Sequence, residues 1–276
     1  MAVECAPGME VAAADRFDYF WNQQGEWVEE PNQRRGGESG VQRLPGTDGR
    51  VLYAKRQVGH IYRSWLHPFG RPTVLREQDA LKGLSQLNVE VPHLVFCGAQ
   101  RDSQGQWRAL LVTEALDGFV EIDHWYAAGE RERHGEALHE RVLKELAATL
   151  ARMHRGRWQH GCLYSKHVFV RVMGEGEAAK VDIALLDFEK CRQRLTAKRA
   201  AAHDMKQLRR HSSWSTTDWD KLNYFIGRRL AALSKAYSDE ARNCTRFVFS
   251  RSLGSCILGC GCLGAATHGS SQHGAG

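Results

Sequence analysis

The sequence predicts an α+β fold, and three observations carry the prediction. Short apolar runs bounded by turn residues, the mark of strands, cluster between residues 26 and 114 and recur at 168–172 and 181–186. From 135 to 153 the apolar positions Leu138, Val142, Leu146, Leu150 and Met153 recur every three or four residues, which is the spacing of one helix face. With 276 residues, 42% hydrophobic and 25% charged, the chain can build one large core or two modest ones, and a single domain of two lobes fits that length.

Taken in order, residues 1–25 form an N-terminal extension, Ala-rich and then aromatic (Phe17, Tyr19, Phe20, Trp21), expected to pack on the first sheet. Residues 26–28 and 41–44 are strand candidates separated by a Gly-rich connection over 31–40. Residues 51–57 follow the turn Thr47-Asp48-Gly49-Arg50 and read as a strand that carries Lys55. A helix is predicted from Pro72 or Thr73, with Val74, Leu81 and Leu84 on one face and Glu77 among them. Burying a carboxylate alone costs several kcal/mol, so Glu77 must find a cation or hydrogen bonds.

Residues 95–97 and 109–114 make a hairpin that ends at Glu114, and the amphipathic helix then stops near Gly156. Next come Gln159-His160-Gly161-Cys162-Leu163-Tyr164-Ser165-Lys166-His167 and a second hairpin, its strands joined by Met173-Gly174-Glu175-Gly176-Glu177. That hairpin sets His167 just before its first strand and Asp187 just after its second, at one end of a sheet, a geometry that suits a divalent metal. Residues 190–210 are basic and Ala-rich, and 214–233 give a final helical pattern. Beyond residue 243 the texture turns to Ser, Gly, Cys and His. The spacing of Cys256, Cys260, Cys262, His268 and His273 matches no common zinc site, so 243–276 reads as a low-order tail.

The net charge is +6, yet residues 1–32 hold seven carboxylates against Arg16 alone, so that stretch carries −6 and the remainder +12. A basic body favours anionic partners such as a nucleotide, a phosphorylated sugar, nucleic acid or membrane head groups, without choosing among them. No run of about 18 apolar residues occurs, so no spanning helix is expected. The start of the chain lacks a basic, then apolar, leader, and a cytoplasmic location is expected. In that setting eight irregularly spaced cysteines predict reduced thiols.

The loop before the second hairpin and the residues after it resemble the protein-kinase-like fold, whose catalytic loop H-x-D-x-x-x-x-N precedes a hairpin ending in D-F-G. Here His160 takes the first position, Cys162 that of the catalytic Asp, His167 that of the Asn, and Asp187-Phe188-Glu189 that of D-F-G. Over residues 26–235 the chain is similar to the lipopolysaccharide kinase family, its InaA and Kdo/heptose kinase branch. The resemblance implies a two-lobed fold, with a small antiparallel-sheet N-lobe over 26–115 and a mainly helical C-lobe over 116–242. It implies ATP and Mg²⁺ as cofactors and a hydroxyl of a lipopolysaccharide core sugar, or another anionic sugar, as acceptor. Peripheral contact with the inner membrane goes with such an acceptor, and nucleic acid is not expected.

By the same resemblance Lys55 meets the α- and β-phosphates and pairs with Glu77, while Glu114 ends the strand whose backbone meets adenine. Arg34 or Arg35 lies near the phosphates, and Asp187 and His167 hold the metal. His160, Cys162 and Lys166 form the catalytic loop, with Lys166 at the γ-phosphate and Asp204 anchoring the loop from below. Three departures stand out. A thiol with an ordinary pKa near 8.5 is a poor substitute for a catalytic carboxylate unless it is ionised. Mg²⁺ prefers oxygen to the imidazole of His167. Glu189 replaces the glycine of D-F-G. A slow kinase, a kinase with a different base and a nucleotide- or protein-binding pseudokinase therefore all remain open. A nucleic-acid binder, the remaining class, predicts an affinity that falls steeply with salt.

Overall fold

The computed structural model describes residues 13–34, 36–46 and 49–229. Arg35 and the tail with its cysteines and histidines lie outside them, as does the start of the N-terminal extension. The chain enters through helix α1 (Ala13–Asn22) and builds β1 (Glu26–Arg34), β2 (Gly37–Pro45) and β3 (Val51–Val58). A two-stranded arm follows, β4 (Ile61–Ser64) and β5 (His67–Pro72), then helix α2 (Thr73–Ser85). Strands β6 (Leu94–Arg101) and β7 (Trp107–Glu114) complete a five-stranded antiparallel sheet in the order β1-β2-β3-β7-β6.

Alternation along β7 explains the layering. Leu110 and Val112 bury one way, with Phe17 and Phe20 of α1 and with Leu44, Leu52 and Ala54. Ala109 and Leu111 bury the other way, with Val74, Ala80, Leu81 and Leu84 of α2. Side chains of a strand alternate between faces, so Lys55, one residue past Ala54, belongs to the α2 side of β3. The expected connection over 31–40 is shorter than the sequence suggested, because strand pairing continues as far as Arg34↔Gly37. Pro31 is tolerated there because β1 is an edge strand and its register shifts between Glu29 and Asn32.

The second part opens with β8 (Val120–Glu121), α3 (Ile122–Ala127) and α4 (Glu130–Arg155). Helix α4 begins before the expected residue 135, running through a break at Gly135, whose φ of 79° suits glycine. Strand β9 (Trp158–Gln159) precedes the catalytic-loop segment, and β10 (Val168–Met173) pairs with β11 (Lys180–Leu185) from Val168↔Leu185 to Met173↔Lys180. Strand β12 (Arg192–Gln193) pairs back onto β9, and α5 (Ala197–Arg210) and a further helical stretch, residues 216–229, close the described chain. Among the described residues no helix is long and apolar enough to cross a membrane.

Candidate active site

The α2 helix buries Thr73, Val74, Glu77, Ala80, Leu81 and Leu84 on one face. A carboxylate among those side chains needs a cation, and Lys55 supplies it: its Nζ lies 3.0 Å from Glu77 Oε2. The same ammonium reaches Glu189 Oε2 at 3.4 Å and also feels Asp187. Burial works to strip Lys55 of its proton, but the fields of Glu77, Glu189 and Asp187 outweigh it and hold its pKa above the usual lysine value. Three carboxylates share one ammonium, so Glu77, buried and facing two like charges, is held above the ordinary carboxyl range. Glu189 was noted in the sequence only as a substitution for glycine. Its part in this cluster is the site feature that sequence reasoning missed.

The second hairpin delivers its two ends together. The Val168↔Leu185 pairing makes His167 and Leu186 neighbours, and the Leu186 N–H donates to the His167 carbonyl at 3.0 Å. One residue on, Asp187 adopts a φ of 64°, a left-handed conformation that a non-glycine residue takes at a cost, while Phe188 is anchored in the core. His167 Nε2 then sits 3.4 Å from Asp187 Oδ2.

The tautomer follows from the other ring nitrogen. Nδ1 faces the Cys162 carbonyl at 2.7 Å, and a carbonyl only accepts, so Nδ1 carries the proton. Burial pushes the His167 pKa down, against the pull of Asp187, so the neutral ring points an Nε2 lone pair at a carboxylate. Burial pushes the Asp187 pKa up, but Lys55, His167 and His160 together bring it below the ordinary value. Two acceptors face to face call for a proton, a water or a cation between them, and a divalent metal is one group that this pair could help to hold. Among the described residues no third metal-competent side chain joins them.

The loop itself is braced from beneath. Asp204, fully buried in the middle of α5, accepts the His160 N–H at 2.7 Å and the Gly161 N–H at 3.0 Å, and a further bond from His154 Nε2 at 3.1 Å. Asp204 thus anchors the loop from below, as the resemblance implies. The helix starts at Ala197, where Thr196 Oγ1 accepts the Arg199 N–H. Burial pushes the Asp204 carboxyl up, but His154 and the two loop N–H groups outweigh it and leave the pKa below the ordinary value. Gly161 has a φ of 86° and lies so close to the Lys190 carbonyl that a Cβ would come within 2.6 Å of it.

The His160 ring is fully buried, donates Nε2–H to the Leu186 carbonyl at 2.9 Å and stacks 5.9 Å from His167. That geometry makes it a brace between loop and hairpin. Burial lowers its pKa to about 4. Below about 6.5 the unfolded chain therefore takes up a proton that the native chain refuses until about 4, and stability falls as pH drops through that window. Urea unfolding should show a loss of about 2 kcal/mol from this group between pH 7 and 4.5. In His160→Gln the fall over that range should shrink by about that amount, and what remains comes from groups such as His167, whose pKa burial also lowers.

Cys162 is buried in the loop with its carbonyl bound to His167, and Lys166 is exposed beside His167, whose pKa it helps to lower. Glu114 stands apart from the cluster. Its carboxylate is held by Arg50, with His93 Nδ1 at 3.4 Å, and its N–H is spent on the His93 carbonyl at 2.9 Å.

The lipopolysaccharide kinase (Kdo/WaaP) family model matches residues 18–225. Protein InaA of Escherichia coli (strain K12) is 40% identical over 215 residues, 78% of this chain and 96% of the relative. The solved structure of WaaP in complex with acyl carrier protein aligns with 86% of this chain and 92% of that one, at a TM-score of 0.59 and 20% identity, a likeness of fold. The fold is thus the two-lobed, kinase-like one. With most of its length matched to one family, this chain belongs to the lipopolysaccharide kinase (Kdo/WaaP) family.

Proposed function

We propose that the chain binds MgATP and phosphorylates, slowly, a hydroxyl of a lipopolysaccharide core sugar at the cytoplasmic face of the inner membrane. The observation that carries this reading is the meeting of Lys55, Asp187 and His167 in one cluster, reached from β3 and from the two ends of the second hairpin. Phosphoryl transfer asks a protein mainly to position groups and neutralise charge. Lys55, held by Glu77, would neutralise the phosphates, and Lys166 would approach the γ-phosphate. Asp187 and His167 would hold Mg²⁺, which would supply positive charge to offset that of the phosphates. His160 and Asp204 would position the loop.

The reduced rate follows from Cys162, which stands where the family resemblance expects a carboxylate to accept the hydroxyl proton. General-base help is typically worth about 10² to 10⁴ in rate. Accordingly, Cys162→Asp is expected to raise the phosphoryl-transfer rate roughly 10²-fold, as read by labelled phosphate incorporated into core oligosaccharide. An unchanged rate would mean that the base lies elsewhere. A second reading, a pseudokinase regulator, is favoured by Cys162 and by Glu189, whose carboxylate already engages the Lys55 ammonium. MgATP that shifts the melting temperature with no phosphate transferred, even with acceptor present, would select the regulator. The complex of the structural neighbour makes an acyl carrier protein a further partner to test.

A further inference from the structure

The β4–β5 arm carries three large apolar side chains that pack on nothing. Trp65 is 102% exposed, Leu66 87% and Phe69 90%. Soluble surfaces do scatter single apolar residues, but three within five positions at the tip of a hairpin form a patch that marks an interaction site. The charge on the arm has one sign. Residues 59–72 contain Arg63, Arg71, His60 and His67 and no Asp or Glu. Arg63 is exposed below the tip, while Arg71 is turned back to Asp79 at 2.6 Å.

The stem is firmly held. His60 Nδ1 meets Thr73 Oγ1 at 2.9 Å, the Thr73 N–H donates to the His60 carbonyl at 3.2 Å, and the Thr73 hydroxyl donates to Gln57 Oε1 at 2.7 Å. Arg76 stacks on the Tyr62 ring at 4.3 Å. A rigid stem, an exposed arginine below the tip and a tip of Trp, Leu and Phe match the layers of a lipid bilayer interface. Tryptophan favours the head-group level, aliphatic and phenyl groups the acyl region, and guanidinium the lipid phosphates. A stable protein interface buries roughly 800 Å² per partner, more than three side chains at the end of a narrow arm present, whereas a bilayer needs only such a wedge.

We propose that the β4–β5 arm inserts its tip into an anionic lipid bilayer and docks the chain on the membrane that carries its acceptor. The membrane contact stands on the arm alone, and the purpose assigned to it rests on the reading of a lipopolysaccharide acceptor. The arm leaves the fold between β3, which bears Lys55, and α2, which bears Glu77, so docking would bring the cluster close to the lipid surface.

The test is sedimentation of the full chain with phosphatidylcholine vesicles, with and without phosphatidylglycerol. The wild type should bind the anionic vesicles. The variant carrying Trp65→Ser, Leu66→Ser and Phe69→Ser should bind them about 100-fold more weakly, with unchanged circular dichroism because all three side chains are exposed. Arg63→Gln should lose severalfold on anionic vesicles only. Equal binding by the triple variant, no binding by the wild type, or indifference to phosphatidylglycerol would overturn the proposal. So would a wild-type dimer that the triple variant dissolves. Phosphoryl transfer separates the two readings: the triple variant should match the wild type on delipidated core oligosaccharide and fall behind on vesicle-embedded lipopolysaccharide. If the wild type phosphorylates neither while vesicle binding still depends on the tip, the acceptor reading fails and the docking stands.

Discussion

Asp187→Asn is expected to lower the affinity for MgATP and any phosphoryl transfer by roughly 10³-fold, since a bound metal supplies several kcal/mol of charge stabilisation and 1.36 kcal/mol is a factor of ten. The nucleotide-free protein should meanwhile stay folded, because the loss of the attraction that holds the Asp187 pKa below the ordinary value is partly offset. Asp187 holds a left-handed φ of 64° that asparagine tolerates comparatively well, and its charge adds to the repulsion felt by Glu77. Lys55 keeps Glu77 and Glu189 as partners when the Asp187 charge is removed, so the cluster survives. Titration calorimetry with MgATP and thermal melts without it give both halves. Metal-dependent binding that persists in Asp187→Asn and in Asp187→Ala would remove the metal assignment and with it the kinase reading.

That expectation draws on features that differ in how far the sequence exposed them. Glu77 was legible because a carboxylate on an apolar helix face has few fates, and the Lys55 contact at 3.0 Å is the one that resemblance to kinases suggested. His167 and Asp187 were legible because a hairpin must bring its two ends together, whatever the rest of the fold does. Each inference used local geometry and one obligatory pairing.

The features that stayed hidden depend on separation along the chain or on the absence of a core. Glu189 reaches Lys55 across 134 positions, and nothing in the residues around either one encodes that approach. The arm from Ile61 to Pro72 shows no clean apolar alternation, because neither of its faces lies on a core, so pattern reading passed over it. His160 occupied a motif position that suggested chemistry, and only its complete burial and its bond to the Leu186 carbonyl show it as a brace. Nor does the Ala-rich, basic run over 190–210 show where α5 starts, since the mark of that start is a single capping residue, Thr196 ahead of Ala197.

Asp204→Ala is expected to cost about 3–5 kcal/mol, the usual penalty for removing one member of a buried charged network. Its carboxylate is fully buried, and without it the His160 and Gly161 N–H groups and His154 Nε2 lose their acceptor inside the protein. For a chain of this size that corresponds to a melting temperature lower by about 10 °C. Asp204→Asn, which keeps an acceptor oxygen but no charge, should lose less. The pH dependence provides the sharper signature. The native pKa of Asp204 lies below its unfolded value near 3.8, so its contribution is present above that value and is lost as pH falls through the native pKa. Stability curves of wild type and Asp204→Ala should therefore converge in strong acid and stand apart at neutral pH. A constant gap at every pH would mean that packing, rather than the anion beneath the loop, is what Asp204 supplies.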